Sequence, residues 1–174
     1  MEKGFVQIYT GDGKGKTTAA VGLTLRAIAS GYKVFFCQFM KGEESGEIRA
    51  LKKHSESIDI FLCGINKFCV SRKNPSPEQI DAARKGFELA RKAIFSKKYD
   101  LVILDEINMA IYYNLINLED VINILKDKPS SVEIVLTGRN APSELYPYAD
   151  LISEIKEIKH YYKKGVKARS GIEY

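Results

Sequence analysis

Apolar runs alternate along the chain with stretches whose apolar residues recur at helical spacing. Each of these runs is four to eight residues long, which is the usual length of a strand in a sheet. The strands predicted from them cover residues 5–9, 33–40, 58–63, 101–104, 132–137 and 151–158. The run at 101–104 is apolar at every position, as expected for a central strand that is covered on both faces.

The stretches between these runs have helical character. Two of these helices are predicted over 17–30, which is closed by Gly31, and over 118–126. Between them, 77–96 begins at a proline and places its apolar residues on one face. Residues 41–57 are polar and are predicted as a loop with a short helix.

Alternation of strands and helices indicates a mostly parallel central sheet between two helical layers. No repeat, low-complexity segment or linker interrupts the pattern, and 174 residues suit one domain. The sequence therefore predicts a three-layer α/β fold and a single domain over residues 1–174.

Composition narrows the class of protein. Hydrophobic residues make up 45% of the chain, which is typical of a globular protein. No apolar run is long enough for a bilayer, and the first residues lack the features of a signal peptide, so we expect a cytoplasmic protein. Three cysteines without a Cys-x-x-Cys pair, and two histidines, favour reduced thiols over a metal site built from these residues.

The formal net charge is +5, but the basic residues are dispersed along the chain. A nucleic-acid site would concentrate them in a patch or stripe, so we expect neither nucleic acid nor a membrane as partner. Anionic small molecules or an acidic partner protein suit the charge better.

The first strand leads into the sequence TGDGKGKTTAA at residues 10–20. Gly15, Lys16 and Thr17 complete the second half of the phosphate-loop pattern G-x-x-x-x-G-K-[ST], while Thr10 replaces its first glycine. Glycines let backbone N–H groups approach a polyphosphate, and the helix that follows directs its positive end at the anion. Lys16 adds a cation, and the Thr17 hydroxyl can bind Mg²⁺.

Two further strand ends carry candidate site residues. The sequence DLVILDE places Asp105 and Glu106 after an apolar strand, where they can serve Mg²⁺ or its water shell, although many α/β strands end in this way. Arg139 follows the strand at 132–137, at the edge where open α/β sheets bind ligands. It is interpreted either as a phosphate clamp or as a surface charge. Hydrolysis, phosphoryl transfer and attack at a ribose carbon all use such a site, so the motifs do not choose between them.

Taken together, these motifs resemble the ATP:cob(I)alamin adenosyltransferases of the P-loop type, also called corrinoid adenosyltransferases. The resemblance covers TGDGKGKTTAA, VFFCQFMKG, DLVILDEI, VLTGR and a tail that ends in GIEY, and thus nearly the whole chain. It implies a P-loop NTPase-like (RecA-like) fold. It also implies that the Co(I) of a reduced corrinoid attacks the ribose C5′ of ATP and expels triphosphate, so that no side-chain nucleophile is needed.

The resemblance also implies roles for individual residues. The triphosphate would be bound by a loop of seven residues: Gly11, Asp12, Gly13, Lys14, Gly15, Lys16 and Thr17. Thr17, Asp105 and Glu106 would serve Mg²⁺ or Mn²⁺, Arg139 would contact phosphate, and Arg26 is a weaker candidate on the nucleotide side. Lys16, Thr17 and Glu106 are the predicted catalytic residues.

One segment departs from the family pattern. Relatives often carry Gly-Phe-x-Trp on the corrinoid side, where bulky aromatics help to displace the lower axial base. Here Ile65 and Lys67 replace the two aromatic residues. Phe68 is the neighbouring aromatic that can compensate, or Ile65 and Phe68 pack in the core.

The tail has two interpretations. Through Tyr161, Tyr162 and Tyr174 it folds over a ligand or a second subunit, or it packs as a surface extension on its own domain. Relatives are commonly dimers, so a homodimer is expected, and a basic face suits an acidic flavoprotein as reductant. A P-loop kinase of a nucleoside or small molecule and a non-catalytic nucleotide-dependent switch are the rival functions that the motifs leave open.

Overall fold

Within residues 2–54, 56–65, 72 and 74–173, which the computed structural model describes, six strands form one parallel sheet. They are β1 (Val6–Thr10), β2 (Val34–Phe39), β3 (Ile58–Cys63), β4 (Leu101–Asp105), β5 (Glu133–Thr137) and β6 (Leu151–Glu154). The helices are α1 (Lys16–Ala29), α2 (Gly46–Leu51), α3 (Pro77–Phe95), α4 (Ile107–Tyr112) and α5 (Leu118–Asp127). Short 3-10 turns cover Lys52–His54, Ser143–Tyr148 and Tyr161–Lys164.

The sheet has the order β3-β2-β4-β5-β1-β6, and every pair of neighbouring strands is parallel. Strand β5 therefore lies between β1 and β4. Because the strands are parallel, the segments that follow β1, β4 and β5 meet at one edge of the sheet. This edge carries the predicted phosphate loop, the Asp-Glu pair and the arginine.

Two separate apolar layers cover the sheet. On one face α1 and α2 pack against β2 and β4 through residues such as Ala20, Ile48 and Phe36. On the other face residues of α3, α4 and α5 form one apolar cluster with residues of β1, β2, β4 and β5. Strands β2, β4 and β5 are buried at every position, as expected for strands with helices on both sides. The predicted three-layer, parallel α/β fold is confirmed.

Local sequence explains where the helices begin and end. Ser76 and Gln79 form a capping box at the start of α3, and Pro77 occupies its first turn. Gly31, with φ of 81°, follows the end of α1 in the left-handed conformation that glycine adopts readily. These signals account for the close agreement between the predicted and observed bounds of α1 and α3.

The structure differs from the sequence prediction in two places. Helix α4 was not predicted, because it follows β4 directly and is only six residues long. Strand β6 ends at Glu154 rather than at Ile158, and all four of its residues are exposed at the edge of the sheet. Its only partner within the described part of the chain is β1. No helix in that part is both long and apolar enough to cross a bilayer.

Candidate functional site

The predicted phosphate loop forms a tight turn between β1 and α1. Gly11 and Gly15 have φ of 95° and 125°, which a residue with a side chain rarely adopts. A Cβ on Gly13 would lie 2.8 Å from both the carbonyl oxygen and Cγ2 of Ile155. The Gly13 N–H donates to that carbonyl at 2.7 Å, so the loop is packed against the chain just after β6.

Lys16 is held inside this turn. Its side chain reaches back, and Nζ donates at 2.7 Å to the carbonyl oxygens of both Gly11 and Gly13, while the residue is only 7% exposed. Burial lowers the pKa of the Lys16 ammonium, and the nearby positive charge of Arg139 lowers it further. A bound anion would offset both effects, so the site is arranged to favour one.

Asp105 connects β4 to the start of α1. Its fully buried carboxylate accepts hydrogen bonds from Thr17 Oγ1 at 3.0 Å, from Gln38 Nε2 at 2.7 Å and from Thr137 Oγ1 at 2.6 Å. Burial raises the pKa of this carboxyl, whereas the three donors lower it. The network fixes the Thr17 hydroxyl at the floor of the site.

Glu106 occupies the turn after β4 with φ of 61°, a left-handed conformation that is uncommon for a residue with a side chain. Its N–H donates to Thr137 Oγ1 at 3.0 Å, which holds the turn in place. Burial raises the pKa of its carboxyl to about 7, and the neighbouring Asp105 contributes in the same direction. Among the described residues no side chain donates a hydrogen bond to this carboxylate, which leaves its oxygens available to a ligand.

Arg139 spans the gap between β5 and the loop. It follows Gly138, whose φ is 128°, and its Nη2 donates at 3.1 Å to the carbonyl oxygen of Asp12. Its Nε lies 3.6 Å from the Asp12 carboxylate, and the side chain remains half exposed. The guanidinium is thus anchored to the phosphate loop and partly open to a ligand.

A cavity of about 770 Å³ opens above the loop. It is lined by Asp12, Gly13, Lys14, Gly15, Lys16, Thr17, Thr18, Val21, Lys41, Gly46, Glu47, Glu106, Met109, Arg139, His160, Gly171, Ile172 and Glu173. Its volume suits a nucleotide. The structure therefore brings the loop, Glu106 and Arg139 around one space, with Asp105 directly beneath Thr17.

Arg26 is not part of this arrangement. It lies in the last turn of α1, at the end opposite the phosphate loop, and is exposed. Ten residues of helix separate it from Lys16, which corresponds to roughly 15 Å along the axis. Arg26 is not among the residues that line the cavity, and its role on the nucleotide side remains a prediction.

Several residues of the site were not predicted. Gln38 and Thr137 hold Asp105. Gln38 is the next-to-last residue of β2 and Thr137 the last of β5, and polar residues near the ends of largely apolar strands were a signal that was present in the sequence. Lys41 and Glu47 also line the cavity, and Lys41 Nζ lies 3.9 Å from Glu47 Oε1. Nothing in the local sequence marks them, because only the fold brings the loop after β2 to this place.

The tail packs on its own domain, against the phosphate loop, and also lines the cavity. Its predicted contact with a ligand or a second subunit stays a prediction. Lys14 Nζ donates to the Ile172 carbonyl at 2.8 Å and to Glu173 Oε1 at 3.0 Å, and it lies 3.3 Å from Tyr161 Oη. Tyr162 is mostly exposed, and Tyr174 lies outside the described residues.

The predicted corrinoid side is described only in part. Ile65 is half-buried at the end of the segment after β3. Lys67, Phe68 and Cys69 lie outside the described residues, and the predictions that concern them stay untested. The other two cysteines, Cys37 and Cys63, are free thiols in the core, with their Sγ atoms 3.0 Å apart.

The sequence matches known proteins along nearly the whole chain. Residues 2–174 match the model of the family described as ATP:corrinoid adenosyltransferase BtuR/CobO/CobP. A corrinoid adenosyltransferase from Sinorhizobium sp. is 37% identical, covering 99% of this chain and 81% of its own length. Those from Escherichia coli K12 and Salmonella typhimurium LT2 are 33% and 32% identical, each covering 99% of this chain and 87% of the relative.

Proposed function

Because the chain belongs to the BtuR/CobO/CobP family of ATP:corrinoid adenosyltransferases, we propose that it transfers the 5′-deoxyadenosyl group of ATP to the Co(I) of a reduced corrinoid. The observation that carries the proposal in the structure is the cavity of about 770 Å³ whose floor is the phosphate loop and whose walls hold Lys16 and Arg139. The match over the whole chain does not favour a kinase or a non-catalytic switch.

The reaction requires charge stabilisation rather than a protein nucleophile. The cobalt electron pair forms the Co–C bond at C5′, the C5′–O bond breaks, and its electron pair leaves with triphosphate. Lys16 and Arg139 border the space that this anion would occupy, and the burial of Lys16 strengthens the effect of its charge on that anion. Their role is to bind the leaving group and to hold C5′ in line with cobalt.

The loop residues Gly11 to Thr17 are the proposed triphosphate site. The first N–H groups of α1 have no partner within the helix, and Lys16, Thr17 and Thr18 line the cavity, which favours an anion there. The Gly13 N–H is already bound to Ile155, so this residue contributes mainly by its lack of a side chain. Thr17 and the backbone around Gly15 are better placed to contact phosphate.

We propose Mg²⁺, or Mn²⁺ in its place, as the accompanying cation. The donors fit it, because Thr17, Asp105 and Glu106 offer hard oxygen atoms beside the phosphate loop. The buried Gln38 Oε1 has no hydrogen-bond partner among the described residues, and it lies on the side chain that donates to Asp105. This oxygen suits a water molecule of a hydrated cation. When bound, such an ion neutralises phosphate charge.

The assay that tests the proposal supplies MgATP and chemically reduced corrinoid and identifies the phosphate product. Triphosphate together with the absorbance spectrum of a new cobalt–carbon bond is expected, and a chelator should abolish both. ADP formed with a hydroxyl substrate would instead indicate a kinase. Unchanged ATP, or slow ADP release without any acceptor, would indicate a nucleotide-dependent switch.

Four further proposals concern the setting of the reaction. The single parallel sheet supports one domain over residues 1–174. The exposed edge strand β6, with Leu151 45% exposed, supports a homodimer. The net charge of +5 suits an acidic flavoprotein as reductant and gives no reason to expect a membrane or nucleic-acid partner. We place the protein in the cytoplasm, where its thiols would stay reduced.

A further inference from the structure

Residues 159–173, here called the C-terminal strap, lie across the mouth of the ATP cavity. His160, Gly171, Ile172 and Glu173 belong to its lining. The strap meets the phosphate loop through Lys14, whose ammonium donates to the Ile172 carbonyl and to Glu173. The contact joins residues that are 159 positions apart in the chain and therefore depends wholly on the fold.

Glu173 is the centre of the hydrogen bonds that shape the strap. Its carboxylate accepts from the backbone N–H of Arg169 at 2.7 Å, from the Arg169 guanidinium at 3.2 and 3.3 Å, and from the Tyr161 hydroxyl. The Arg169 guanidinium also lies 4.9 Å from the centre of the Tyr161 ring. Glu173 thus ties both ends of the strap together while its side chain is only 15% exposed.

A carboxylate in an anion-binding cavity needs an explanation. Alone it would repel a triphosphate, but here Arg169 and Lys14 both lie against it and balance its charge. The Lys14 side chain is 42% exposed, and without a partner it would sample many conformations, so ordering it on a ligand would cost conformational entropy. Glu173 and the Ile172 carbonyl order it beforehand.

We infer that Glu173 is a positioning residue for the adenosyl transfer: it fixes the Lys14 ammonium and the strap over the phosphate loop, so that ATP meets a preformed cation at the cavity mouth. The inference rests on the proposed function for its substrate. The Tyr161 hydroxyl, the most distant of the three Lys14 partners at 3.3 Å, is the contact that a phosphate oxygen replaces. Because ATP and the departing triphosphate gain equally from Lys14, Glu173 governs nucleotide affinity more than the rate of the chemical step.

The test compares Glu173→Gln with Glu88→Gln, which makes the same chemical change at an arginine-paired carboxylate on the surface of α3. We expect Glu173→Gln to raise the KM and the Kd for ATP about five-fold, in the range of a single charged contact, with kcat changed less than two-fold. Glu173→Asp, which keeps the charge, should recover most of the affinity. Glu88→Gln should match the wild type.

A double-mutant cycle decides whether Glu173 acts through Lys14. In a Lys14→Met background, Glu173→Gln should cause no further loss of ATP affinity. Overturning results are an unchanged Kd in Glu173→Gln alone, an equal loss in both backgrounds, or a fall in kcat without a change in KM. Circular dichroism and thermal melting verify folding, and Glu173→Asp keeps the test valid if Glu173→Gln is unstable.

The same measurements separate this inference from the proposed function. ATP binding by calorimetry needs no corrinoid, so the cycle can be completed even if no cobalt–carbon bond forms. A wild-type protein that binds ATP but transfers nothing would refute the proposed function and leave the coupling between Glu173 and Lys14 to be decided by affinity alone.

Discussion

At the scale of single residues, the site is built from charged groups whose partners are mostly main-chain atoms or buried side chains. Lys16 donates to two carbonyl oxygens of its own loop, and Asp105 accepts from three side chains. These contacts order the groups before a ligand arrives, which lowers the free energy that binding has to spend on ordering them. The arrangement explains why a loop rich in glycine still holds its lysine in one position.

Replacement of Lys16 by alanine should abolish adenosyl transfer without unfolding the protein. The ammonium is the most buried cation at the cavity, and removal of one group that stabilises a developing anion costs roughly 10²–10³-fold in kcat. Measured turnover with MgATP and reduced corrinoid provides the test, with circular dichroism to confirm the fold. Lys85→Ala, which removes an exposed lysine of α3, is the matched control. Turnover retained in Lys16→Ala would contradict the role assigned to it.

At the scale of elements, the phosphate loop depends on the segment that follows β6. Ile155 accepts a hydrogen bond from Gly13 through its carbonyl, and its own N–H donates to the Thr10 carbonyl at 2.9 Å. The loop is therefore enclosed between the sheet and this segment. Strand β6 itself is exposed, so its contribution is to place Ile155 rather than to bury apolar surface.

Two glycine-to-alanine replacements should have different effects, one on the KM for ATP and the other on the stability of the fold. At Gly13 a methyl group would lie 2.8 Å from the Ile155 carbonyl oxygen, so Gly13→Ala should displace the loop and raise the KM for ATP. At Gly22, within α1, nothing lies within 4 Å, and Gly22→Ala should stabilise the protein by about 0.5–1 kcal/mol because alanine favours a helix.

Urea unfolding and steady-state kinetics on both variants measure these effects. Gly22→Ala serves as the control for the chemical change itself, since it adds the same methyl group away from the cavity. Equal ATP kinetics in Gly13→Ala and the wild type would show that the loop tolerates a side chain against Ile155.

At the scale of the whole molecule, strand order assembles the site. Insertion of β5 between β1 and β4 lets Thr137 bind Asp105, and the Gly138 N–H donates to the Tyr9 carbonyl at 3.2 Å. Arg139 then projects from β5 to the loop after β1. The sheet, the two helical layers and the strap all contribute to one cavity, so ligand binding and global stability should be linked.

Saturating MgATP should therefore stabilise the native protein. At a concentration 100 times the Kd, a ligand that binds only the folded state adds about 2.7 kcal/mol. For a chain of this size that corresponds to a rise in Tm of roughly 5–10 °C. Differential scanning calorimetry with and without MgATP measures the shift, which should be much smaller in Lys16→Ala. A wild-type Tm that MgATP leaves unmoved would argue against nucleotide binding in this cavity.

Much of the fold followed from local pattern. The apolar runs predicted all six strands to within a few residues. At β2, β4 and β5 the reason is burial on both faces, which leaves a continuous apolar sequence. The prediction failed at α4, where the tertiary structure stabilises a helix too short to be evident by itself. It also extended β6 too far, since apolar residues such as Ile158, which is 97% exposed, do not always pair.

The sequence by itself determined the phosphate loop, the class of fold and the family, since each depends on residues that are close together or on a pattern that repeats along the chain. Only the tertiary structure decided that Gln38 and Thr137 hold Asp105 and that Glu173 reaches Lys14. The physical reason is distance along the chain. Contacts between remote segments form only when the core brings those segments together, and no local spacing encodes them.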